Sequence, residues 1–169
     1  MYEPGDDSYL MEKYVRNFAS GRVLDVGCGS GILMKAALTK SKNVFGVDID
    51  DGSLEFCKKK GLDVTKSNLF SNVKGKFDFI IFNPPYLPED EIKDKDLIGG
   101  KFGWEILERF FNQARHHLNE HGKILILFSS LTNKEKVEKI IMDNGFSYEK
   151  LEEKPVGLME RLYVYLCEL

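Results

Sequence analysis

An apolar run that ends in Asn-Pro-Pro constrains this chain more than any other stretch. Residues 77–82 (Phe-Asp-Phe-Ile-Ile-Phe) have the length and β-rich composition of a buried parallel strand. Asn83, Pro84, Pro85 and Tyr86 follow directly. The strand must end there, because proline cannot donate to a β-ladder and forces the preceding residue into an extended conformation. The sequence therefore predicts a rigid loop at the carboxyl end of a strand, the edge at which open α/β sheets place their ligands.

A glycine loop strengthens that prediction, since the tetrad alone fits an ordinary strand-to-loop turn equally well. A first strand at residues 22–26 leads directly into Gly27, Gly29 and Gly31, and an apolar helix follows. Such a loop can bring backbone N–H groups and a helix N-terminus close to a ligand. Its spacing differs from the Gly-x-Gly-x-x-Gly of dinucleotide sites. Asp48 ends the next strand, about 20 residues after the loop, where a carboxylate can accept from both ribose hydroxyls of a nucleoside.

The remaining chain alternates between short apolar runs and amphipathic stretches. Strands are predicted at residues 22–26, 43–47, 62–65, 77–82, 123–128, 146–151 and 161–167. Helices are predicted at residues 10–18, 32–37, 51–60, 106–118 and 133–144. Asp6, Asp7 or Ser8 is expected to cap the first helix, Asp50 the third, and Gly122 should end the fourth. This order predicts one doubly wound α/β domain over residues 1–169, with a mostly parallel seven-stranded sheet, helices on both faces and an antiparallel edge near the C-terminus.

Composition narrows the class of protein. The 169 residues carry a net charge of −3, which does not favour a nucleic-acid or membrane surface. Three scattered cysteines indicate reduced thiols, and no long apolar span is present, so we expect a cytoplasmic protein without membrane contact. His116, His117 and His121 do not predict a metal site, because they occupy neighbouring helix positions that point apart. Residues 87–100 are expected to form a long polar loop, in which the acidic run 89–96 is predicted to be a mobile lid, with direct contact to a partner as the alternative.

The motifs together resemble a known family. The segment from Asp25 to Gly31, Asp48 and the tetrad are similar to the Rossmann-like S-adenosylmethionine-dependent methyltransferases that modify planar amide or amine nitrogens. Residues 2–8 (Tyr-Glu-Pro-Gly-Asp-Asp-Ser) and 99–103 (Gly-Gly-Lys-Phe-Gly) resemble the HemK/PrmC group of protein glutamine methyltransferases. Their substrate is the Gly-Gly-Gln loop of class I translation release factors. The chain is most similar to the archaeal and eukaryotic branch, which lacks the N-terminal helical domain of the bacterial enzymes.

The resemblance implies roles for individual residues. Asn68 and Leu69 would bracket the adenine, and Asn83 would face both cofactor and substrate. Asn68 stands where family members commonly have Asp, and its carbonyl can accept from the adenine amine. Phe102 stands where a polar residue is usual. The residues that would hold S-adenosylmethionine are Ser8, Asp25, Gly27, Gly29, Gly31 and Asp48.

Glutamine chemistry explains why such a site uses the tetrad. An amide nitrogen is a poor nucleophile, because its lone pair is delocalised into the carbonyl. The side-chain oxygen of Asn83 and the carbonyl of Pro84 can accept its N–H groups, while Pro84 and Pro85 keep both acceptors rigid. Tyr86 can stack on the flat amide. Catalysis then consists mainly of positioning and electrostatics, and these four residues are the predicted catalytic group.

Two alternatives stay open from the sequence. An adenine-amine methyltransferase acting on DNA or RNA could use the same tetrad, although the acidic charge and the lack of a basic stripe disfavour it. A catalytically silent subunit could bind cofactor for stability only, but nothing structural demands the tetrad there.

A further expectation concerns assembly. Residues 62–65 are expected to form an unprotected outer strand, and the resemblance implies a small zinc-binding activator subunit docked along it. The alternative is a monomer whose short, twisted edge strand needs no partner.

Overall fold

The computed structural model describes residues 5–85 and 103–169. Its strands are β1 (Arg22–Val26), β2 (Asn43–Asp48), β3 (Val64–Lys66), β4 (Phe77–Phe82), β5 (Leu118–Ser129), β6 (Ser147–Val156) and β7 (Glu160–Glu168). Its helices are α1 (Asp6–Phe18), α2 (Ile32–Leu38), α3 (Asp51–Lys59), α4 (Glu105–Ala114) and α5 (Lys134–Asp143). The predicted number and order of strands are confirmed, and β1 and β4 have the predicted bounds.

The strands form one sheet in the order β3-β2-β1-β4-β5-β7-β6. The pairs from β3 through β5 are parallel, whereas β7 runs antiparallel to both β5 and β6. The antiparallel edge and the outer position of β3 are therefore confirmed. The strand order reverses between β1 and β4, and such switch points open a crevice at the carboxyl ends of the strands.

Both faces of the sheet are covered, which explains why its inner strands are continuous apolar runs. In β4, Phe79 and Ile81 belong to the core beneath α1 and α2, whereas Ile80 and Phe82 belong to the core beneath α4 and α5. All four are almost completely buried. Burial on both sides leaves the strand ends as the places where polar side chains can reach a cavity.

The prediction around Leu118 and Gly122 was wrong. Helix α4 ends at Ala114, a short 3-10 turn follows, and Leu118 already begins β5. The pairing of β5 with β4 is irregular between Leu118 and Lys123, where the residues 119–122 bulge. A Cβ on Gly122 would lie 2.8 Å from Leu118 Cδ1, so this glycine lets the bulge fold back on Leu118.

Helix caps follow the prediction only in part. Asp50 caps α3, because its carboxylate accepts from Ser53 N at 2.7 Å. Helix α1 instead begins after Gly5 without a side-chain cap. Asp7 and Ser8 are buried in its first turn, so the expectation that one of the acidic or serine residues caps α1 was wrong. Within the described residues, no helix combines the length and apolar character needed to cross a bilayer.

Candidate functional site

A cavity of about 590 Å³ opens at the carboxyl ends of β1, β2 and β4. The first turn of α1 and the N-terminal half of α4 complete its wall. It brings together most of the predicted site residues: Ser8, Asp25, Gly27, Gly29, Asp48, Asn68, Leu69, Asn83, Pro84 and Pro85. Two predicted residues are not among them. Gly31 is not among the residues that line the cavity, and Tyr86 is outside the described residues, as are Phe102 and the predicted lid.

The glycine loop is fastened to β2. Gly27 N and Cys28 N both donate to Val47 O, at 2.8 and 3.0 Å. Gly29 N donates to Asp48 Oδ2 at 2.8 Å. These N–H groups therefore hold the loop in place, which differs from the expectation that they face a ligand. What Gly27 and Gly29 provide is positive φ and open space, since an added Cβ would meet nothing within 4 Å.

Gly31 has a different structural function from Gly27 and Gly29. It adopts φ +75, and an added Cβ would lie 2.4 Å from Leu62 Cδ1 and 3.0 Å from Cys57 Sγ. The residue therefore permits close packing of the loop against the segment that precedes β3.

Asp48 is a fixed carboxylate at the cavity wall. Its Oδ2 accepts from Gly29 N, and its Oδ1 accepts from Asp50 N at 2.9 Å. The side chain is half-buried. Each carboxylate oxygen keeps capacity for a further hydrogen bond, so Asp48 can receive two hydroxyl groups of a ligand.

Asp25 carries an unsatisfied acceptor into the same cavity. The residue is 1% exposed, and its Oδ2 has no hydrogen-bond partner in the part of the chain that the structure describes. Burial, together with the nearby charge of Asp48, raises the pKa of the Asp25 carboxyl well above its ordinary value. A ligand that places a hydrogen-bond donor or a positive charge beside Asp25 would satisfy its Oδ2 and stabilise the buried carboxylate.

Asn83 is held by Asp7, one of the three residues predicted as candidates to cap α1. Asn83 Nδ2 donates to Asp7 Oδ2 at 2.7 Å. A carboxylate only accepts hydrogen bonds, so the amide nitrogen must face Asp7 and the amide oxygen must point away. That oxygen, Oδ1, is buried without a partner among the described residues. The contact joins positions 76 residues apart, and no local pattern could have revealed it.

The turn after β3 places Asn68 and Leu69 at the cavity. The buried Ser67 hydroxyl donates to Leu69 O at 2.8 Å and accepts from Asn72 N at 3.0 Å. Leu69 adopts φ +51, a conformation that few non-glycine residues use. Arg109 of α4, which the sequence analysis missed, donates from Nη2 to Asn68 Oδ1 at 2.9 Å.

The three histidines are apart from this cavity. His117 stacks on Phe70, with ring centroids 4.7 Å apart, and its Nδ1 lies 3.1 Å from Gly75 O. Among residues 5–85 and 103–169, no group of three potential metal ligands comes together.

Known proteins with similar sequences carry names that fit this cavity. A Methanocaldococcus jannaschii protein, named as a candidate protein N5-glutamine methyltransferase, is 38% identical over 162 residues, which cover 88% of this chain and 82% of that protein. The release factor glutamine methyltransferase of Borreliella burgdorferi is 32% identical over 148 residues, 76% of this chain. The match covers 51% of that enzyme, so the chain spans about half its length.

A solved structure shares the fold over its whole length. A chain of the E. cuniculi Mtq2–Trm112 complex, described as responsible for methylation of the eRF1 termination factor, superimposes with a TM-score of 0.83. It is 24% identical, and the match covers 99% of this chain and 97% of that one. The sequence profile of the methyltransferase small domain matches residues 6–154. The chain therefore belongs to the methyltransferase small domain family.

Proposed function

We propose that this methyltransferase uses S-adenosylmethionine to methylate the side-chain amide nitrogen of a glutamine, in the Gly-Gly-Gln motif of a class I translation release factor. The observation that carries the proposal is the buried oxygen of Asn83. It is an acceptor whose orientation is fixed by Asp7, and it lacks a partner in the described residues. Its natural complement is an N–H donor presented by a substrate.

Several groups of the cavity support a sulfonium nucleoside as the cofactor. Asp48 offers two held oxygens to a ribose, Gly27 and Gly29 leave room for close approach, and the buried Asp25 favours a positive charge nearby. Ser8 lines the same wall. When bound, S-adenosylmethionine would supply the methyl group and, through its sulfonium, the driving force for transfer.

Asn83 and Pro84 would bind and orient the substrate amide. The Asn83 Oδ1 accepts one amide N–H, and the Pro84 carbonyl accepts the other. Accepting both would align the nitrogen lone pair with the methyl donor. The nitrogen would form its bond to the methyl group as the methyl–sulfur bond breaks, and the one N–H proton it then loses would pass to water, so no strong base is needed in the site. Pro84 is buried and Pro85 half-buried, which keeps this loop rigid. Stacking of Tyr86 on the amide plane stays a prediction.

The choice of glutamine over adenine rests on two supports. The M. jannaschii protein, at 38% identity, and the B. burgdorferi enzyme are named for glutamine methylation, whereas other relatives at 29–32% identity are named ribosomal RNA small subunit methyltransferase C. The net charge of −3 does not favour a polyanion. A silent subunit is a poorer explanation, because a fold without catalytic function would satisfy the buried Asn83 oxygen internally. The location in the cytoplasm stays a prediction.

Transfer of a labelled methyl group tests the substrate. A release factor with Gly-Gly-Gln, its Gly-Gly-Asn variant, and DNA and RNA oligonucleotides would be compared under the same conditions. We expect label only in the first, because shortening the side chain by one methylene withdraws the amide from the Asn83 oxygen. Equal labelling of both factors, or labelling of adenine alone, would overturn the glutamine proposal.

Calorimetry with S-adenosylhomocysteine tests the cofactor separately. Asp48→Asn keeps an acceptor for Gly29 N but removes the charge, so we expect affinity to fall by about 1.5–3 kcal/mol for each ribose hydrogen bond affected. Unchanged affinity would refute the ribose contact. Binding of S-adenosylhomocysteine without any transfer would instead favour the silent subunit.

A small activator subunit at β3 is the third part of the proposal. Among the strands of the described residues, β3 pairs with β2 and has no second neighbour. Asp63 O and Ser67 N bond to β2, so in a parallel ladder the N–H groups of Val64 and Lys66 face outward. Asn72 Nδ2 already covers Lys66 O at 2.9 Å, which leaves the outward edge only partly protected. The shared fold with a chain of the Mtq2–Trm112 complex is compatible with such docking.

Lys66→Pro tests the docking surface, because it removes an outward N–H at an exposed position. A charged substitution at Val64, such as Val64→Lys, would not test the edge cleanly, because Val64 is 7% exposed and a lysine there would disturb the core. Co-expression with candidate small subunits should give a stable heterodimer with the wild type and a weakened one with Lys66→Pro. A wild-type chain that is monomeric and fully active alone would refute this part. Zinc content of the partner would be measured on the purified heterodimer.

A further inference from the structure

We infer that the turn between β6 and β7 is a docking site for the protein that carries the reacting glutamine. This inference rests on the proposed function and adds a contact outside the cavity. The turn presents Leu158 and Met159, which are 104% and 92% exposed. No other large apolar side chain of the described residues is more than 64% exposed. Full exposure of two adjacent apolar side chains favours a contact with another molecule.

The register of the sheet places this turn beside the cavity. Phe82, the last residue of β4, pairs with Ile126 of β5, which in turn pairs with Tyr165 of β7. Strand β7 runs antiparallel to β5 and begins at Glu160, five residues before Tyr165. At about 3.4 Å per residue and about 4.8 Å between strands, the turn lies about 17 Å beyond the end of β4 and about 10 Å to its side. It therefore stands beside any ligand that extends out of the cavity from Asn83.

Helix α1 connects the cavity wall to the hairpin of β6 and β7. The first turn of the helix holds Asn83 through Asp7. Further along the same helix, the Tyr14 hydroxyl donates to Glu152 Oε2 of β6, and Lys13 Nζ donates to the same oxygen at 3.1 Å. One helix thus contacts both the amide site and the hairpin, which fixes the hairpin relative to the cavity.

Hydrogen bonds at the root of the turn keep its apolar tip in place. Ser129 Oγ donates to Glu160 Oε1 at 2.7 Å, and Arg161 N donates to Ser130 Oγ at 3.0 Å. Both bonds join the start of β7 to the end of β5 and the turn that follows it. Because the backbone beneath the tip is already ordered, a partner that contacts the tip has little backbone ordering to offset.

A protein is the occupant that fits both the position and the chemistry of the turn. A methyl donor and a glutamine side chain would fill the cavity, so a contact at the turn must come from the macromolecule that carries the glutamine. Apolar side chains do not bind phosphates, which disfavours a nucleic acid. An activator subunit at β3 would lie at the opposite edge of the sheet from β6. The turn therefore fits an apolar patch near the glutamine loop of a protein substrate.

Leu158→Ser combined with Met159→Ser tests the docking site. We expect the KM for a release factor with Gly-Gly-Gln to rise at least about tenfold, because the apolar contact is lost. The kcat at saturating release factor and the affinity for S-adenosylhomocysteine should stay within about twofold of wild type, since neither residue lines the cavity. Leu38→Ser combined with Met142→Ser is the matched control. These two exposed residues lie near the ends of α2 and α5, at the amino edge of the sheet, and their loss should leave all three constants unchanged.

Photo-crosslinking identifies the occupant. Benzoylphenylalanine in place of Leu158 would be irradiated in the presence of release factor and S-adenosylhomocysteine. We expect a crosslink to the release factor, and none when the same group replaces Met142. An unchanged KM in the doubly substituted turn, or a crosslink confined to this chain or to a second copy of it, would overturn the inference and leave the proposed function intact. A wild-type chain that methylates no release factor would refute the proposed function, and the inference with it.

Discussion

Two asparagine–aspartate pairs lie at opposite ends of β4, and they differ in whether their polar atoms all have hydrogen-bond partners. At the amino end, Asn119 Nδ2 donates to Asp78 Oδ1 at 2.8 Å, and Arg22 N donates to Asp78 Oδ2 at 2.7 Å. Both oxygens of that carboxylate are therefore used. At the carboxyl end, Asn83 Nδ2 donates to Asp7 Oδ2 at 2.7 Å, and Asn83 Oδ1 is buried without a partner in the described residues.

Two carboxyl groups of the sheet differ in the direction in which their pKa values are shifted. The hydrogen bond from Arg22 N, followed by that from Asn119, holds the pKa of Asp78 below its ordinary value. Burial and the charge of Asp48 raise the pKa of Asp25. A pair that the protein completes itself stabilises the fold, whereas an incomplete one costs stability and is available to a ligand. The comparison thus separates structural polar groups from functional ones.

The largest effect should come from removing the incomplete acceptor. Asn83→Ala is expected to lower the rate of methyl transfer by about 10²–10³-fold, because the substrate amide loses an oriented acceptor. The rate would be measured with labelled methyl donor and a release factor. Asn119→Ala deletes the matching amide at the other end of β4, and its rate per folded molecule should stay within twofold of wild type. Loss of activity in both variants would erase the distinction between the pairs.

The completed pair should instead carry stability. Asp78→Ala leaves Arg22 N and Asn119 Nδ2 without their acceptor, so the free energy of unfolding should fall by about 2–3 kcal/mol at pH 7. Because the folded pKa of Asp78 lies below the ordinary 3.8, its contribution is present above pH 3.8 and is lost as the pH falls through the folded pKa. Urea unfolding at several pH values would show the gap between variant and wild type narrowing in acid.

Asp7 should act on the rate through Asn83. In Asp7→Ala the Asn83 amide loses its fixed orientation, and we expect kcat to fall about tenfold, equivalent to about 1.4 kcal/mol. The KM for the methyl donor should change little. Asp7→Asn keeps an oxygen that can accept from Asn83 and should recover most of the rate. If Asp7→Asn is as slow as Asp7→Ala, the positioning function assigned to Asp7 is wrong.

The smallest effect concerns Asp25. Its folded pKa is raised above 3.8, so the wild type loses stability as the pH rises from 3.8 through the folded pKa. Asp25→Asn cannot ionise and should be more stable than wild type by about 1 kcal/mol at pH 8, with the advantage shrinking as the pH falls towards 4. Chemical unfolding of the ligand-free protein measures this. Equal stability at pH 8 would mean that Asp25 is satisfied like Asp78.

The sequence was informative where burial controls the pattern. The apolar runs of β1 and β4 predicted both strands to the residue, because parallel strands covered on two faces tolerate few polar side chains. It failed at Leu118, whose spacing of four from Ala114 continues a helical stripe although its side chain is buried from a strand. Apolar spacing cannot distinguish the two conformations there.

The site could be predicted as a set of residues but not as a set of contacts. Asp48 ends β2, and Asn68 and Asn83 follow β3 and β4, so topology alone brings them to one edge. The contacts that orient them join distant segments, namely Asp7 to Asn83 and Arg109 to Asn68. Side-chain direction and amide orientation depend on tertiary packing, which a single sequence does not record.

Asn83 is synthesised 76 positions after Asp7, so the two residues of this hydrogen bond appear at different times during translation. A ribosome adds about 5–20 residues per second, so about 4–15 s pass between the appearance of the first residue and that of the second. During this interval Asp7 of helix α1 has been synthesised, but the Asn83 amide to which it will bind has not. A truncated nascent chain therefore has Asp7 without Asn83. Under the proposed mechanism it cannot transfer a methyl group until β4 and Asn83 have left the exit tunnel.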